Sequence, residues 1–227
     1  MEFTHLGAMA EALFSLLTVG SLMLAFVMLG SRWLKDYMYA FAAQSWLIAA
    51  LSACVAYYGD FHELYGVALL TAVFRGVLLP YMILHILRRL KVRRELLGYM
   101  RPSSSLVFGA FLVILALGVA VHITGALGLA GSNVIVLALT VMLSMKLIGF
   151  LMLIVRHEAV SQILGLLVLE NGIFLGSQIL VPGMPMMIEL VILFDLLVAV
   201  ACFGVLVRYL MVHVGSTSSR HMKRLTG

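Results

Sequence analysis

Charge is what this chain has least of. Asp, Glu, Lys and Arg make up 11% of its 227 residues, whereas apolar residues make up 63%. Soluble domains are about 25% charged and about 45–50% apolar, so the deficit excludes a soluble globular fold. Thiols are nearly absent. Cys54 and Cys202 stand alone in separate apolar runs, which excludes a disulfide framework and any thiol cage for nickel, iron–sulfur or haem. A phosphate loop is missing as well: no Lys-Ser/Thr follows the glycines at Gly125, Gly128 and Gly131, as such a loop requires. The net charge of +5 and pI near 9.4 do not point to nucleic acid. The basic residues lie between apolar runs, where insertion topology explains them. Glu2 is the only charged residue ahead of the first apolar run. That run is long, so it reads as a spanning helix rather than a cleaved signal.

What remains is a series of long apolar runs. A spanning helix needs roughly 20 such residues, and by that rule seven are predicted: 8–30, 37–58, 65–87, 105–124, 132–155, 159–181 and 186–209. Spanning segments must satisfy their own backbone, so the expected class is all-α, an integral membrane helical bundle. A barrel would show short alternating strands instead. The basic stretch around Arg88–Arg94 and the turn at Pro102 divide the chain into 1–101, with three helices and a basic loop; 102–131, with a fourth helix and its turn; and 132–227, a three-helix module with a tail. Thirteen of the fifteen Lys and Arg residues fall on one side of this topology, and the loop at Asp60 and Glu63 lies on the other. The positive-inside rule then predicts an outer N-terminus and a cytoplasmic C-terminus.

The two remaining cations, Arg75 and Lys146, lie inside apolar runs, as do Glu170 and Asp195. A charge at the centre of a spanning helix costs about 2.5–3.5 kcal/mol on insertion scales, so it faces protein or water and by default marks a functional site. The four formal charges sum to zero and are expected to form one layer. Arg75 cannot shed its proton. Pro80, one turn later, removes a backbone donor and can bend the helix. Burial and a neighbouring carboxylate shift a lysine in opposite directions, so Lys146 can exchange a proton. His157 follows on nearly the same stripe, about 16 Å further along. Two readings fit this pair: a proton entry route, or a Lys146–Glu170 ion pair with an unrelated loop histidine. In the sixth run, Gly165, Gly172 and Gly176 share one stripe suited to close helix contact. Glu170 stands about 200° from Gly172, so packing and carboxylate are expected on opposite sides. Glu189 is six residues nearer the outer end than Asp195.

Gln162-Ile163-Leu164-Gly165, Leu169-Glu170-Asn171-Gly172, Glu189 and Phe194-Asp195 together resemble the hydrogenase-4 component E family. The resemblance extends to Arg32–Ser45, to Arg75-Gly76-Val77-Leu78-Leu79-Pro80 and to the Lys223–Gly227 tail. It implies a membrane subunit of group 4 nickel–iron hydrogenase or formate hydrogenlyase complexes. The last three helices would be similar to the complex I K subunit and the antiporter C subunit, with Glu170 and Asp195 in place of paired membrane glutamates. Alignment on Gly165 and Asn171 sets the family glutamate at Leu167, one turn before Glu170, and makes the second an aspartate. The expectation is a non-catalytic, multi-pass subunit in the cell inner membrane, with Glu170, Asp195, Lys146, Arg75, Glu189 and His157 in a proton relay. The chain itself would carry no cofactor. Nickel–iron and iron–sulfur centres would sit in a peripheral redox module, beside antiporter-like membrane subunits. A scaffold with static ion pairs, or a stand-alone transporter, are the alternatives.

Overall fold

The computed structural model describes residues 8–89, 100–128, 133–156 and 159–180, with residues 194, 201, 204 and 205. Helices dominate the described residues, and no strand is present among them. The order is α1 (Ala8–Gly30), α2 (Leu34–Gly59), α3 (Glu63–Leu70, Thr71–Leu78 and Leu79–Arg89 end to end), α4 (Pro102–Ala126), α5 (Asn133–Val155) and α6 (Ala159–Leu180). Helices α1 to α5 are long and apolar enough to cross a membrane, and they coincide with the first five predicted runs. Helix α6 coincides with the sixth. Most of the seventh lies outside the described residues.

Short connections make sequential helices antiparallel neighbours. Three residues, Ser31 to Trp33, turn α1 into α2. The α2–α3 turn pivots on Asp60, whose φ of 57° is left-handed and whose N–H bonds back to the Ala56 carbonyl, closing the helix end as a C-cap does. Pro102 opens α4 at its first turn after an extended Arg101, the position where a missing N–H is harmless. The bundle thus has a basic end, at the α1–α2 turn, Arg101 and Arg156, and an acidic end, at Asp60 and Glu63.

Helix α3 changes its winding where the sequence signals stress. Thr71–Leu78 is a π-helical stretch, and the Leu79 N–H bonds five residues back to the Phe74 carbonyl. In an α-helix the ring of Pro80 would press on the carbonyl four residues earlier, that of Gly76. A wider turn relieves that crowding. The expected bend at Pro80 is thus met by widened winding just ahead of it, and Arg75 sits within the widened turn.

The most extensive contact in the bundle is α5 against α6. Lipid tails are as apolar as Leu, so membrane helices associate by close packing rather than by hydrophobic burial. Glycine provides that closeness here. A Cβ on Gly149 would stand 2.8 Å from the Gly165 carbonyl oxygen, and one on Gly165 would stand 2.9 Å from the Gly149 oxygen. One on Gly172 would meet Met145 Cβ at 2.8 Å, and one on Gly176 would strike Met142 Sδ. The predicted glycine stripe of α6 is therefore the α5 contact. Helix α4 turns a stripe of Ser105, Gly109, Ala116, Ala120 and Thr124 inward and leaves Val107, Phe111, Ile114 and Val121 exposed. Helix α1 packs on α2, α4 and α5, and α2 packs on α3 and α6. Helices from the three predicted segments therefore interlock.

Candidate functional site

Helix α2 and helix α6 meet along a seam of constant register. The Tyr37 hydroxyl donates to the Leu164 carbonyl, 127 residues away, and Asn171 Nδ2 donates to Gln44 Oε1 at 2.9 Å across the same separation. Tyr37 and Gln44 are seven residues apart, as are Leu164 and Asn171. Seven residues return a helix to nearly the same face. Gln44 therefore lies in the interior of α2, and it is fully buried.

Arg75 enters this seam from α3. It is the largest fully buried side chain among the described residues. Its Nη1 donates to Asn171 Oδ1 at 2.9 Å, and its guanidinium lies 4.7 Å from the centroid of the Phe174 ring. An amide oxygen and a ring face both offer negative potential to a cation that cannot be neutralised. Phe174 is three residues from Asn171 and so adjoins it on α6. The chain of donors then continues. Gln44 Nε2 donates to the Ser21 carbonyl of α1 at 2.8 Å, with Met145 Sδ of α5 at 4.0 Å. Because Arg75 only donates, it fixes the orientation of both amides: oxygen toward the cation, nitrogen away. The dipoles of Asn171 and Gln44 then point the same way and polarise each other. Four helices, α1, α2, α3 and α6, are joined by one directional chain.

Amides hold a charge in place but do not exchange protons near neutrality. The titratable groups flank the chain. Glu170 adjoins Asn171 in sequence and is half-buried. Lys146 is half-buried on α5, and its backbone N lies 3.4 Å from where a Cβ on Gly172 would stand. The backbone of Lys146 thus faces the glycine side of α6, and Glu170 leaves α6 on roughly the opposite side. Of the six residues expected in the relay, the structure brings Arg75 to α6 one residue from Glu170 and sets Lys146 on the neighbouring helix. Asp195, Glu189 and His157 lie outside the described residues. On α1, Glu11, Ser15 and Thr18 are spaced four and three residues apart and so share one stripe; Thr18 is buried, Ser15 is half-buried and Glu11 is exposed.

Sequence reasoning missed Gln44 and Phe174. Gln44 carried a usable signal, a lone amide inside the apolar run 37–58, and the depth argument used for Glu170 applies to it. Arg156 was counted only as a topology charge. It is in fact nearly buried, and its Nη2 donates at 3.1 Å to the carbonyls of both Leu29 and Ser31. Those carbonyls lie at the end of α1, where helix carbonyls lack partners of their own. Gln162 Nε2 contacts the Arg156 carbonyl at 3.4 Å. Arg156 therefore ties the basic end of α1 to the junction between α5 and α6.

No family model matches the chain, and no solved structure matches it. The chain is similar to uncharacterized protein Rv0085 of Mycobacterium tuberculosis, at 28% identity over 205 residues, covering 87% of this chain and 90% of that protein.

Proposed function

We propose that this chain is a non-catalytic membrane subunit of a redox-driven complex that moves protons or sodium ions, of the hydrogenase-4 and formate hydrogenlyase kind. In this reading it crosses the inner membrane seven times, with its N-terminus outside and its C-terminus in the cytoplasm. It links antiporter-like subunits to the rest of the membrane arm. Nickel–iron and iron–sulfur chemistry belongs to the partners. The relay comprises Glu170 and Lys146, with Asp195, Glu189 and His157 beyond them, and Arg75 as the fixed charge that biases them.

The observation that carries this reading is the buried arginine in a π-helical turn, bound to Asn171 beside Glu170. An arginine keeps its charge, so Arg75 gives the interior a fixed positive charge at the residue next to Glu170. A change of charge in a neighbouring subunit then alters the proton occupancy of Glu170. Single π-turns recur at functional sites in helices, and intramembrane charge marks ion pathways.

The test is Glu170→Gln, which keeps shape and removes titration. The expected result is a normally assembled complex whose ion pumping falls while redox turnover becomes uncoupled or slow. Unchanged pumping at normal assembly would overturn the relay. Mass spectrometry of what co-purifies in mild detergent tests the complex itself, and a chain that emerges alone as a stable oligomer would overturn the subunit reading.

The amide chain favours a second reading. It joins four helices with groups that do not titrate, as a scaffold would. That reading expects Glu170→Gln to lower the amount of complex, with turnover per assembled complex unchanged.

A further inference from the structure

Beyond the Arg75 chain, toward the acidic end, the interior holds polar atoms of a different kind. Thr18 Oγ1, Thr71 Oγ1 and both amide atoms of Gln178 are buried and have no hydrogen-bond partner among the described residues. Thr71 and Gln178 are fully enclosed, and Thr18 is nearly so.

Their positions are related. The α2–α6 seam repeats every seven residues, through Tyr37 with Leu164 and Gln44 with Asn171. The next step of the same register sets Leu51 opposite Gln178. Leu51 is fully buried and offers no polar atom. Thr18 lies one turn before Ser21, whose carbonyl ends the amide chain. Thr71 lies one turn before Arg75. Helices α1 and α3 run from the acidic to the basic end, and α6 runs the other way, so all three residues fall on the same side of the chain. At the α-helical 1.5 Å per residue, Thr18 and Gln178 stand about 5 and 10 Å beyond Ser21 and Asn171, and Thr71 stands one widened turn beyond Arg75.

The two hydroxyls also behave unlike their neighbours. Ser21, Ser45, Ser52, Thr124, Thr140 and Ser144 each donate to the carbonyl four residues back. That is the usual refuge of a hydroxyl in an apolar helix. Thr18 and Thr71 forgo it. Burying hydroxyls and an amide without partners is costly, and ordered water with two to four polar contacts is the common remedy.

We propose that Thr18, Thr71 and Gln178 form an internal hydration site that holds a short file of water between the Arg75 chain and the acidic end. The water site stands on its own. Its use as a proton exit rests on the relay reading. In that use, protons released near Glu170 leave toward the acidic end through hydroxyl and water groups, which pass protons, and not through the amides of Asn171 and Gln44.

The experiment is cysteine reactivity in the full chain in open native membranes, in a Cys54→Ser, Cys202→Ser background. Thr18→Cys and Thr71→Cys are nearly isosteric, and Gln178→Cys completes the set. Ala138→Cys, at a fully buried apolar position, is the dry reference. Silver ion, close in size to a hydrated-path cation, is the probe. Blocked thiols are counted by maleimide gel shift after denaturation. Reaction at Thr71→Cys and Thr18→Cys at least tenfold faster than at Ala138→Cys is the expected result. Reactivity equal to the dry reference at both threonine positions would overturn the site, because it would mean that protein atoms satisfy these groups. Silver-reactive thiols together with unchanged pumping in Glu170→Gln would remove the relay and keep the water. Unreactive thiols with lost pumping would do the reverse.

Discussion

The two sides of α6 solve the same problem by opposite means. Toward α5, the helix removes side chains: Gly165, Gly172 and Gly176 meet Gly149, Met145 and Met142 at backbone distance. Toward α2 and α3, it adds polar ones: Asn171 holds Arg75 and Gln44. In lipid neither side gains from hiding apolar surface, so both must hold by specific contact. The glycine side holds by shape, and its tolerance for change is set by volume. The amide side holds by direction, and its tolerance is set by which atoms remain unpartnered. The difference teaches where each kind of substitution is felt.

The largest effect is expected on the glycine side. Gly149→Val places a Cβ within 3 Å of backbone atoms of Gly165 and Leu169, and backbone cannot swing aside. Overpacking of this kind costs about 3 kcal/mol or more, seen as loss of folded chain in a thermal melt in detergent. If Gly149→Val melted like the parent protein, α5 and α6 would not be in backbone contact. Next comes the amide side. Asn171→Leu conserves volume but strips a partner from Arg75 and from Gln44. Hydrogen bonds to a charged group are worth about 1.5–3 kcal/mol, so a loss of about 2–3 kcal/mol is expected. Asn171→Asp separates the two readings of the site. It restores the contact to Arg75 with a charge and returns much of the lost stability, yet it puts a titratable group beside Glu170. Altered pH dependence of ion pumping in Asn171→Asp is the outcome expected of a relay.

The two sides also differ in how far the sequence revealed them. The glycine stripe was legible because spacing alone places Gly165, Gly172 and Gly176 on one face, and a residue with no side chain has one obvious use in a membrane helix. The helical class and the first five apolar runs, each a helix long and apolar enough to cross a membrane, were legible for a similar reason: the bilayer fixes length and hydropathy together. Arg75 and Glu170 were legible as costly residues, but their partners were not. Nothing local to Arg75 names Asn171 or Gln44, which lie 96 and 31 residues away in sequence. Contacts set by tertiary register leave no periodic trace, and an amide looks inert unless its depth in the run is weighed. The π turn was half legible: Pro80 announced stress in α3, but nothing in the sequence names a widened winding over Thr71–Leu78 as the form of its relief.

Smaller effects sharpen the same contrast at positions where one side borrows from the other. Arg156→Gln removes a cation whose Nη2 serves two carbonyls at the end of α1. A loss of about 1–2 kcal/mol is expected, visible as faster proteolysis or exchange at the α1–α2 turn with the centre of the bundle unchanged. Protection lost throughout the bundle would instead give Arg156 a role in the core.

The smallest effect is expected at Gly76. It is a glycine, but it stands on the polar side, in the π turn beside Arg75. A Cβ there would come within 2.9 Å of Trp46 Nε1. That neighbour is a side chain, and the indole is more than half exposed, so it can give way. Alanine also lowers the entropy lost by the backbone on folding, by roughly 0.5–1 kcal/mol in a helix. The two terms oppose each other, and Gly76→Ala should melt within about 1 kcal/mol of the parent protein. Gly149→Ala, the same change of one methyl group, meets backbone on the far side of α6 and should cost several times as much. Equal costs at Gly76 and Gly149 would mean that the winding of α3 is as tightly determined as the α5–α6 contact. The π turn would then be a rigid mount for Arg75, not merely a local accommodation of Pro80.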